Sequence, residues 1–293
     1  MPELPEVEYV ARQLRQTLIG RTITAVQVNW ARTIGHPDVE TFCTQLVDAQ
    51  VSRIDRRAKL LLVFLSGGQA LVVHRRMTGN ILLFPAAPEG ANWSELPDPY
   101  CRVAFLLDDG RRVVFSDPRK FGRISLYTAD ELRAALGGFG LEPLGEEFTA
   151  EALSRLLKKH ARQIKPFLLD QTAIAGIGNI YADESLFRAG IHPQRLTDTL
   201  TSEEVGRLHE AIRVVLERGI AHGGTTFGRH QDIWGEAGWN REHLLVYQHE
   251  DTPCSRCGTT IVRIVVAQRG THFCPQCQPL AVLASQHVGQ APS

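Results

Sequence analysis

Four cysteines carry the plainest chemistry in the chain. They stand as Cys254-x2-Cys257 and Cys274-x2-Cys277, with sixteen residues between the pairs. Each short turn presents two thiolates and the spacer is one β-hairpin long, the pattern of a tetrahedral Zn²⁺ site. A redox dithiol needs only one such pair, and a disulfide framework needs a secreted setting. Four Cys ligands leave no open position on the metal, so the zinc is read as structural. Its use is to fold a segment too small for a core and to hold out Arg269 at the tip of the hairpin Thr260–Thr271. The other two cysteines, Cys43 and Cys101, are read as ordinary buried thiols.

The N-terminus is the second candidate. Pro2 follows Met1, and an initiator methionine is commonly removed before so small a residue. The amine exposed would be secondary, with an ordinary α-amino pKa near ~8, leaving a useful fraction unprotonated at neutral pH. Such an amine can attack a sugar C1′ or an aldehyde and form an iminium. Glu3 beside it can move a proton. With Met1 retained the Pro2 nitrogen is an amide and inert. The competing reading is that Pro2-Glu3-Leu4-Pro5-Glu6 merely starts a helix.

The surrounding elements follow from periodicity and turns. Pro5–Leu18 reads as a helix: Val7, Val10, Ala11, Leu14 and Leu18 recur at helical spacing, and Gly20 stops it. Strand-like runs follow at Thr22–Val28, Leu60–Leu65, Ala70–His74, Ile81–Phe84, Val103–Leu107, Val113–Phe115 and Ile124–Tyr127. Short, β-rich and separated by turns such as Ser66-Gly67-Gly68, they predict a sandwich or barrel. Gly137-Gly138-Phe139-Gly140 reads as a linker. Helical patterns then occupy Thr149–Lys158, Ile164–Asp170, Ile180–Ala189 and Ser202–Arg218, followed by a Gly-rich tract, His222–Trp239. No internal repeat is evident.

Composition bounds the whole. The 293 residues carry 32 Lys+Arg and 32 Asp+Glu, with 43 % apolar and 22 % charged positions. Disorder, collagen and coiled coil are excluded as descriptions of the chain, and the length predicts about two domains. No run approaches the ~18–20 apolar residues of a membrane span, and the acidic start is unlike a signal peptide; a cytoplasmic protein is expected. Zero net charge argues at first against a nucleic-acid binder. Three stretches are nonetheless strongly basic: Arg53–Arg76, Arg111–Arg123 and Arg155–Lys165 hold sixteen Lys and Arg against Asp55 and Asp117. No carboxylate side chain follows Asp251. Segregation of this kind can give a neutral molecule one basic face, although for any single stretch solvated surface is the simpler reading.

Several separated segments together resemble one family, the bacterial formamidopyrimidine-DNA glycosylases, also called 8-oxoguanine DNA glycosylases. They are Met1–Glu8, Arg56–Lys59, His74-Arg-Arg-Met-Thr-Gly79, Asp117-Pro-Arg-Lys-Phe-Gly122, Ile164–Pro166, Gly176-Ile-Gly-Asn-Ile-Tyr-Ala182, Gly190–Pro193, Gly223–Thr226 and the four-cysteine end with Gln268–Thr271. They occur in family order over nearly the whole chain. The resemblance implies an α+β multidomain fold: an N-terminal β-sandwich with flanking helices over 1–136, a helix–two-turn–helix domain over 137–240, a zinc-ribbon β-hairpin over 241–278 and a tail over 279–293. It implies a bifunctional glycosylase and lyase acting on oxidised purines in double-stranded DNA, as a monomer in the nucleoid-containing cytoplasm, with one structural Zn²⁺. Pro2 would displace the damaged base and hold the sugar as a Schiff base, and β,δ-elimination would cut the strand on both sides. Glu3 matches the acid/base, Lys59 a strand-borne lysine near sugar and phosphate, and Arg269 the hairpin arginine that grips phosphates.

The physical reading of the remaining motif residues agrees. A base must be flipped out before its C1′ can be reached, at a cost of a few kcal/mol. Met77, Arg119 and Phe121 match the family's void-filling triad; Met and Phe suit an apolar wedge, and Arg119 can bond the orphaned partner, in the family preferably cytosine. Core packing is the alternative for Met77 and Phe121. Asn179 stands at a Gly-rich turn entering a helix, a place that favours phosphate, and Lys165 matches a lysine near the flipped nucleotide. Gly223–Trp239 aligns with the loop that closes over the extruded base, and its glycines suit a mobile lid; a plain surface loop is the alternative. The chain departs from the family pattern at Tyr100-Cys101-Arg102-Val103, where Tyr100 or Arg102 would replace a histidine–phosphate contact. It departs also at Lys120, at His160 beside Lys159 and Arg162, at Tyr247–Glu250 and in the long tail. Two other readings compete: the sister enzymes of the endonuclease VIII class, which take oxidised pyrimidines but usually carry Gly where Leu4 stands and lack Met77 in this setting, and a zinc-ribbon protein that binds damaged or bent DNA without catalysis, against which Pro2, Glu3 and Lys59 argue.

Overall fold

A computed structural model describes residues 1–96, 98–159 and 161–280. His160 and positions 281–293 of the expected tail therefore lie outside the described residues.

The first helix, α1 (Leu4–Leu18), buries the stripe Val7, Val10, Ala11, Leu14 and Leu18. That stripe packs into a core shared by two sheets. The order of elements after it is β1 (Ile23–Val28), β2 (Ile34–His36), α2 (Val39–Leu46), β3 (Val51–Arg57), β4 (Leu60–Leu65), β5 (Ala70–His74), β6 (Asn80–Phe84), β7 (Cys101–Leu107), β8 (Arg112–Ser116) and β9 (Arg123–Tyr127). One sheet runs β1-β7-β8-β6 and the other β2-β9-β5-β4-β3. The inward faces, among them Ile54, Leu61, Val73, Val103, Phe105, Phe115 and Leu126, make the sandwich core.

A short α3 (Ala129–Leu136) closes this part. The helical part is α4 (Ala150–Lys158), α5 (Ile164–Leu169), α6 (Asn179–Ala189) and α7 (Ser202–Ala221), packed around Phe167, Tyr181, Leu208 and Ile212. Leu4 of α1 belongs to that second core, so the chain's first turn is the seam between the two bodies. The hairpin β10 (Val262–Val266) and β11 (Arg269–Phe273) follows. It packs on Phe187 through Val246, Ile261, Cys254 and Cys274.

Three differences from the sequence reading have local causes. β3 escapes a hydrophobicity search because it carries Arg53, Asp55, Arg56 and Arg57, with only Val51 and Ile54 buried. Helices α2 and α3 are short, and their signal lies in their caps: Asp38 accepts from the Thr41 N–H, and Thr128 with Glu131 forms a reciprocal capping box. The hairpin tip is Ala267-Gln268, both left-handed with φ of 45° and 61°, so Arg269 is the first residue of β11 and pairs with Val266. Two consecutive positive φ values match the twist of a two-residue hairpin turn. Cys101 is buried as expected, whereas Cys43 is only half-buried against the sandwich core.

Candidate active site

Glu3 is the N-cap of α1, and it also serves a helix of the other body. Its carboxylate accepts from the backbone N–H of Ile180 at 3.1 Å and of Tyr181 at 3.4 Å, the exposed donors at the start of α6. The α6 N-cap is Gly178, which has no side chain to do this work. A Cβ there would lie 2.3 Å from Glu3 Cδ. Glu3 is 4 % exposed. Burial pushes its carboxyl pKa above the ordinary value, with Lys59 pulling the other way.

Glu6 completes the seam. Its carboxylate accepts from the Glu3 N–H at 2.7 Å, from the Tyr181 hydroxyl at 2.6 Å and from the Thr225 N–H at 2.7 Å. Lys59 sits in the two-residue turn between β3 and β4, buried and within electrostatic reach of Glu3, Glu6 and Arg269. That turn is held from the linker side: Glu142 accepts from the Ala58 N–H at 2.6 Å and pairs with Arg56 at 2.7 Å and Arg57 at 2.9 Å. The terminal amine lies in the same cleft, and burial lowers its pKa, with Lys59 adding to the effect. A buried acid beside the desolvated Met1 amine marks this end of the chain as a place where a proton can pass between an acid and an amine.

The zinc hairpin docks against this cleft. The Gly270 carbonyl accepts from Asn179 Nδ2 at 2.9 Å and from Lys165 Nζ at 3.0 Å. Lys165 also bonds Thr271 Oγ1 at 2.8 Å and pairs with Asp183 at 2.6 Å. Asp183 in turn accepts from the His272 N–H at 2.9 Å. Lys165 has 0 % exposure, with two hydrogen bonds and one ion pair made within the protein. In this structure Lys165 is a buried clip that seats the hairpin beside the cleft. Arg269 emerges beside it, exposed.

The four cysteine sulfurs lie within 4.8 Å of one another, with separations of 3.9 Å for Cys254–Cys277 and 3.5 Å for Cys257–Cys274 and Cys257–Cys277. A tetrahedron of thiolates ~2.3 Å from zinc has edges of about 3.8 Å. The donor set fits one structural Zn²⁺ held by Cys254, Cys257, Cys274 and Cys277.

Met77, Arg119 and Phe121 converge on one exposed edge. Met77 is 48 % and Phe121 49 % exposed, so the core-packing alternative fails. Arg119 donates to Met77 Sδ at 3.5 Å and lies 4.7 Å from the Phe121 ring centroid. One buried carboxylate builds both loops. Asp117 accepts from the Thr78 hydroxyl, from the Arg119 N–H at 3.2 Å and from the Gly122 N–H at 2.7 Å. Tyr100 is exposed nearby with the Arg229 guanidinium 5.2 Å from its ring, Arg102 bonds the Asp117 carbonyl at 2.7 Å, and Lys120 covers the Trp30 ring. Lys159 is exposed at the end of α4.

The Gly-rich tract departs furthest from expectation. It leaves α7, crosses to the sandwich and returns. Ile233 is fully buried in the sandwich core, and its carbonyl accepts from the Leu83 N–H of the edge strand β6 at 2.8 Å. Gln13 of α1 bonds Asp232 at 2.8 Å and the Ile233 N–H at 3.2 Å. The buried Arg75 and Asn80 grip the Gln231 and Arg229 carbonyls at 2.9 and 2.6 Å. Through Arg229, Gln231, Asp232 and Ile233 this tract straps the two bodies together, so it is more than a plain surface loop. Sequence reasoning passed over Glu6, Asp117, Asp183 and Ile233. Only Glu6 had a local signal, its capping spacing three residues from Glu3.

Comparison with known proteins agrees with this geometry. Residues 1–124 match the formamidopyrimidine-DNA glycosylase N-terminal domain, 139–231 the H2TH domain of the same enzymes and 252–280 a zinc finger found in FPG and IleRS. The formamidopyrimidine-DNA glycosylase of Roseiflexus sp. (strain RS-1) is 46 % identical over 95 % of this chain and 100 % of its own length. That of Herpetosiphon aurantiacus is 45 % identical over 95 % and 100 %. Among solved structures, Lactococcus lactis Fpg in complex with abasic-site DNA superposes with a TM-score of 0.85 at 33 % identity, covering 95 % of this chain and 100 % of that one. Among the described residues no helix is long and apolar enough to cross a membrane. Matched along nearly its full length, and with a zinc finger and a cleft built from the segments that define those domains, the chain belongs to the formamidopyrimidine-DNA glycosylase family.

Proposed function

We propose that the chain is a bifunctional glycosylase and abasic-site lyase of base excision repair that removes 8-oxoguanine and formamidopyrimidines from duplex DNA. The observation that carries this reading is the buried Glu3 carboxylate, fixed by two α6 amides beside Lys59 and next to the buried Pro2, in the cleft that also holds the Met1 amine. After removal of Met1, the Pro2 nitrogen attacks C1′, and the base departs with the electrons of its glycosidic bond and takes the proton of the Glu3 carboxyl, leaving a carboxylate. The amine proton passes to Glu3, which returns it to the ring oxygen as the sugar opens to an iminium. Loss of a C2′ proton expels the 3′ phosphate, a second elimination expels the 5′ phosphate, and water frees the amine. Lys59, Arg269 and Asn179 line the path of the strand and would hold phosphates; Lys159, His160 and Tyr100 would extend that contact. Met77 and Phe121 would fill the gap left by the base while Arg119 bonds the orphaned partner. Lys165 acts through the hairpin. The zinc folds the hairpin and offers no open coordination position. The active unit is taken to be a monomer, working on cytoplasmic DNA.

Borohydride reduction during reaction with an 8-oxoguanine·cytosine duplex tests this reading. The expected result is a covalent adduct on the Pro2 peptide. Base release with no trappable adduct would overturn the Schiff base, and binding without release would support a non-catalytic DNA binder instead.

A further inference from the structure

The chain has two methionines, Met1 and Met77, so removal of Met1 leaves Met77 as the one thioether. It is 48 % exposed, on a loop whose backbone is fixed through Thr78 to buried Asp117. Arg119, fixed to the same carboxylate at 3.2 Å, holds NH1 3.5 Å from Met77 Sδ. A thioether is a weak acceptor there, and the guanidinium stays largely free to donate elsewhere. The geometry points to Met77 as a site of reversible sulfoxidation that silences the DNA wedge. This inference rests on the function proposed above.

The chemistry is complete with hydrogen peroxide as the oxidant. The sulfur lone pair attacks one peroxide oxygen, the O–O bond breaks, the sulfide is oxidised to a sulfoxide, and the other oxygen leaves as water. Methionine sulfoxide reductases return the sulfide, one enzyme for each epimer. The added oxygen is a strong acceptor placed beside a fixed donor. It takes Arg119 NH1 for itself and turns an apolar wedge polar. Two functions are thus lost together: filling the gap and reading the orphaned base. The oxidants that make oxidised purines are the ones that would reach this exposed sulfur, so the enzyme would be slowed when oxidant is in excess and restored by reduction.

The test treats the Met1-processed holoenzyme with hydrogen peroxide and follows four quantities: oxygen on the Met77 peptide by mass spectrometry, zinc release, excision, and affinity for a duplex carrying an abasic-site analogue. The expected result is one added oxygen on Met77 without zinc loss, and excision opposite cytosine reduced about tenfold, the worth of one lost base contact. The preference between opposite cytosine and adenine should flatten, which a merely structural lesion would not produce. A mixture of both sulfoxide reductases should restore it. Met77→Leu, whatever its starting rate, should lose none of that rate to peroxide. Equal fractional loss in Met77→Leu with zinc release would place the damage at the thiolates and overturn the inference. Full activity with Met77 oxidised would do the same. If untreated protein excises nothing, the proposed function falls, while the change in duplex affinity on oxidation still decides this inference.

Discussion

Gly178→Ala tests whether Glu3 must sit where the structure holds it. The added Cβ would meet Glu3 Cδ at 2.3 Å and Oε1 at 2.4 Å, closer than van der Waals contact allows. The neighbour is a carboxylate pinned by two amides, so it must leave them. A hydrogen bond within a protein is worth about 0.5–1.5 kcal/mol net, giving about 1–3 kcal/mol for the pair. Loss of a positioned acid/base costs 10²–10⁴-fold on the order of magnitude usual for such groups. We expect single-turnover base excision to fall at least about a hundredfold. The variant's folding is checked by placing Gly178→Ala on Glu3→Ala. With the carboxylate gone the new methyl has room, and the melting temperature should return to that of Glu3→Ala alone. Wild-type excision by Gly178→Ala would refute the claim that Glu3 acts from this position.

Four further outcomes follow. Lys59 lowers the pKa of both Glu3 and the terminal amine, so Lys59→Met should move both limbs of the pH–rate profile to higher pH; unmoved limbs would place Lys59 outside the cleft. Because Glu3 titrates above its ordinary 4.5, the stability its protonated form carries is full below that value and lost as pH rises through the raised one. Titrated melts should show that loss in wild type and not in Glu3→Gln. Lys165→Met leaves Asp183 without its cation, a change that costs about 3–5 kcal/mol for a buried pair; a large drop in duplex affinity with zinc content unchanged is expected, and unchanged affinity would deny Lys165 its role as clip. Ile233→Ala should cost about 2–5 kcal/mol of packing and open the strap, seen as fast proteolysis between Gly228 and Gly238, whereas continued protection there would mean that the polar contacts alone hold it.

The zinc site, α1 and most of the strands are legible because their signals are local. A Cys-x2-Cys pair, a helical stripe or a β-rich run needs only its neighbours. The arrangement that makes them a site is not local. Glu3 and Ile180 are 177 positions apart, and Lys165 and Thr271 are 106. A basic residue in a basic stretch reads as surface, and only the fold reveals that Lys165 faces Asp183 while Lys159 faces solvent. The Gly-rich tract misled for the opposite reason. Its composition predicts mobility, but a single Ile in its middle finds a place in a core whose other members lie more than a hundred residues upstream. Asp117 was visible within a motif, yet its purpose, one acceptor shared by two loops, exists only once β5, β6 and β8 bring those loops together.

The strap changes how the two bodies can move. They are joined by the covalent connection near Gly140, where Arg57 bonds the Phe139 and Gly140 carbonyls, by the first turn of α1, where Glu3 and Glu6 bond α6 and Thr225, and again where Ile233 enters the sandwich. With the backbone fixed at one place, the seam and the strap behave as a bivalent complex: release of either non-covalent contact leaves the other holding its partner at high effective concentration. Opening the cleft to admit a duplex is then resisted by recapture, and the bodies favour a small rocking motion between fixed limits over free hinging. The search for damage along DNA would be made by a nearly finished active site that needs little rearrangement when the lesion arrives.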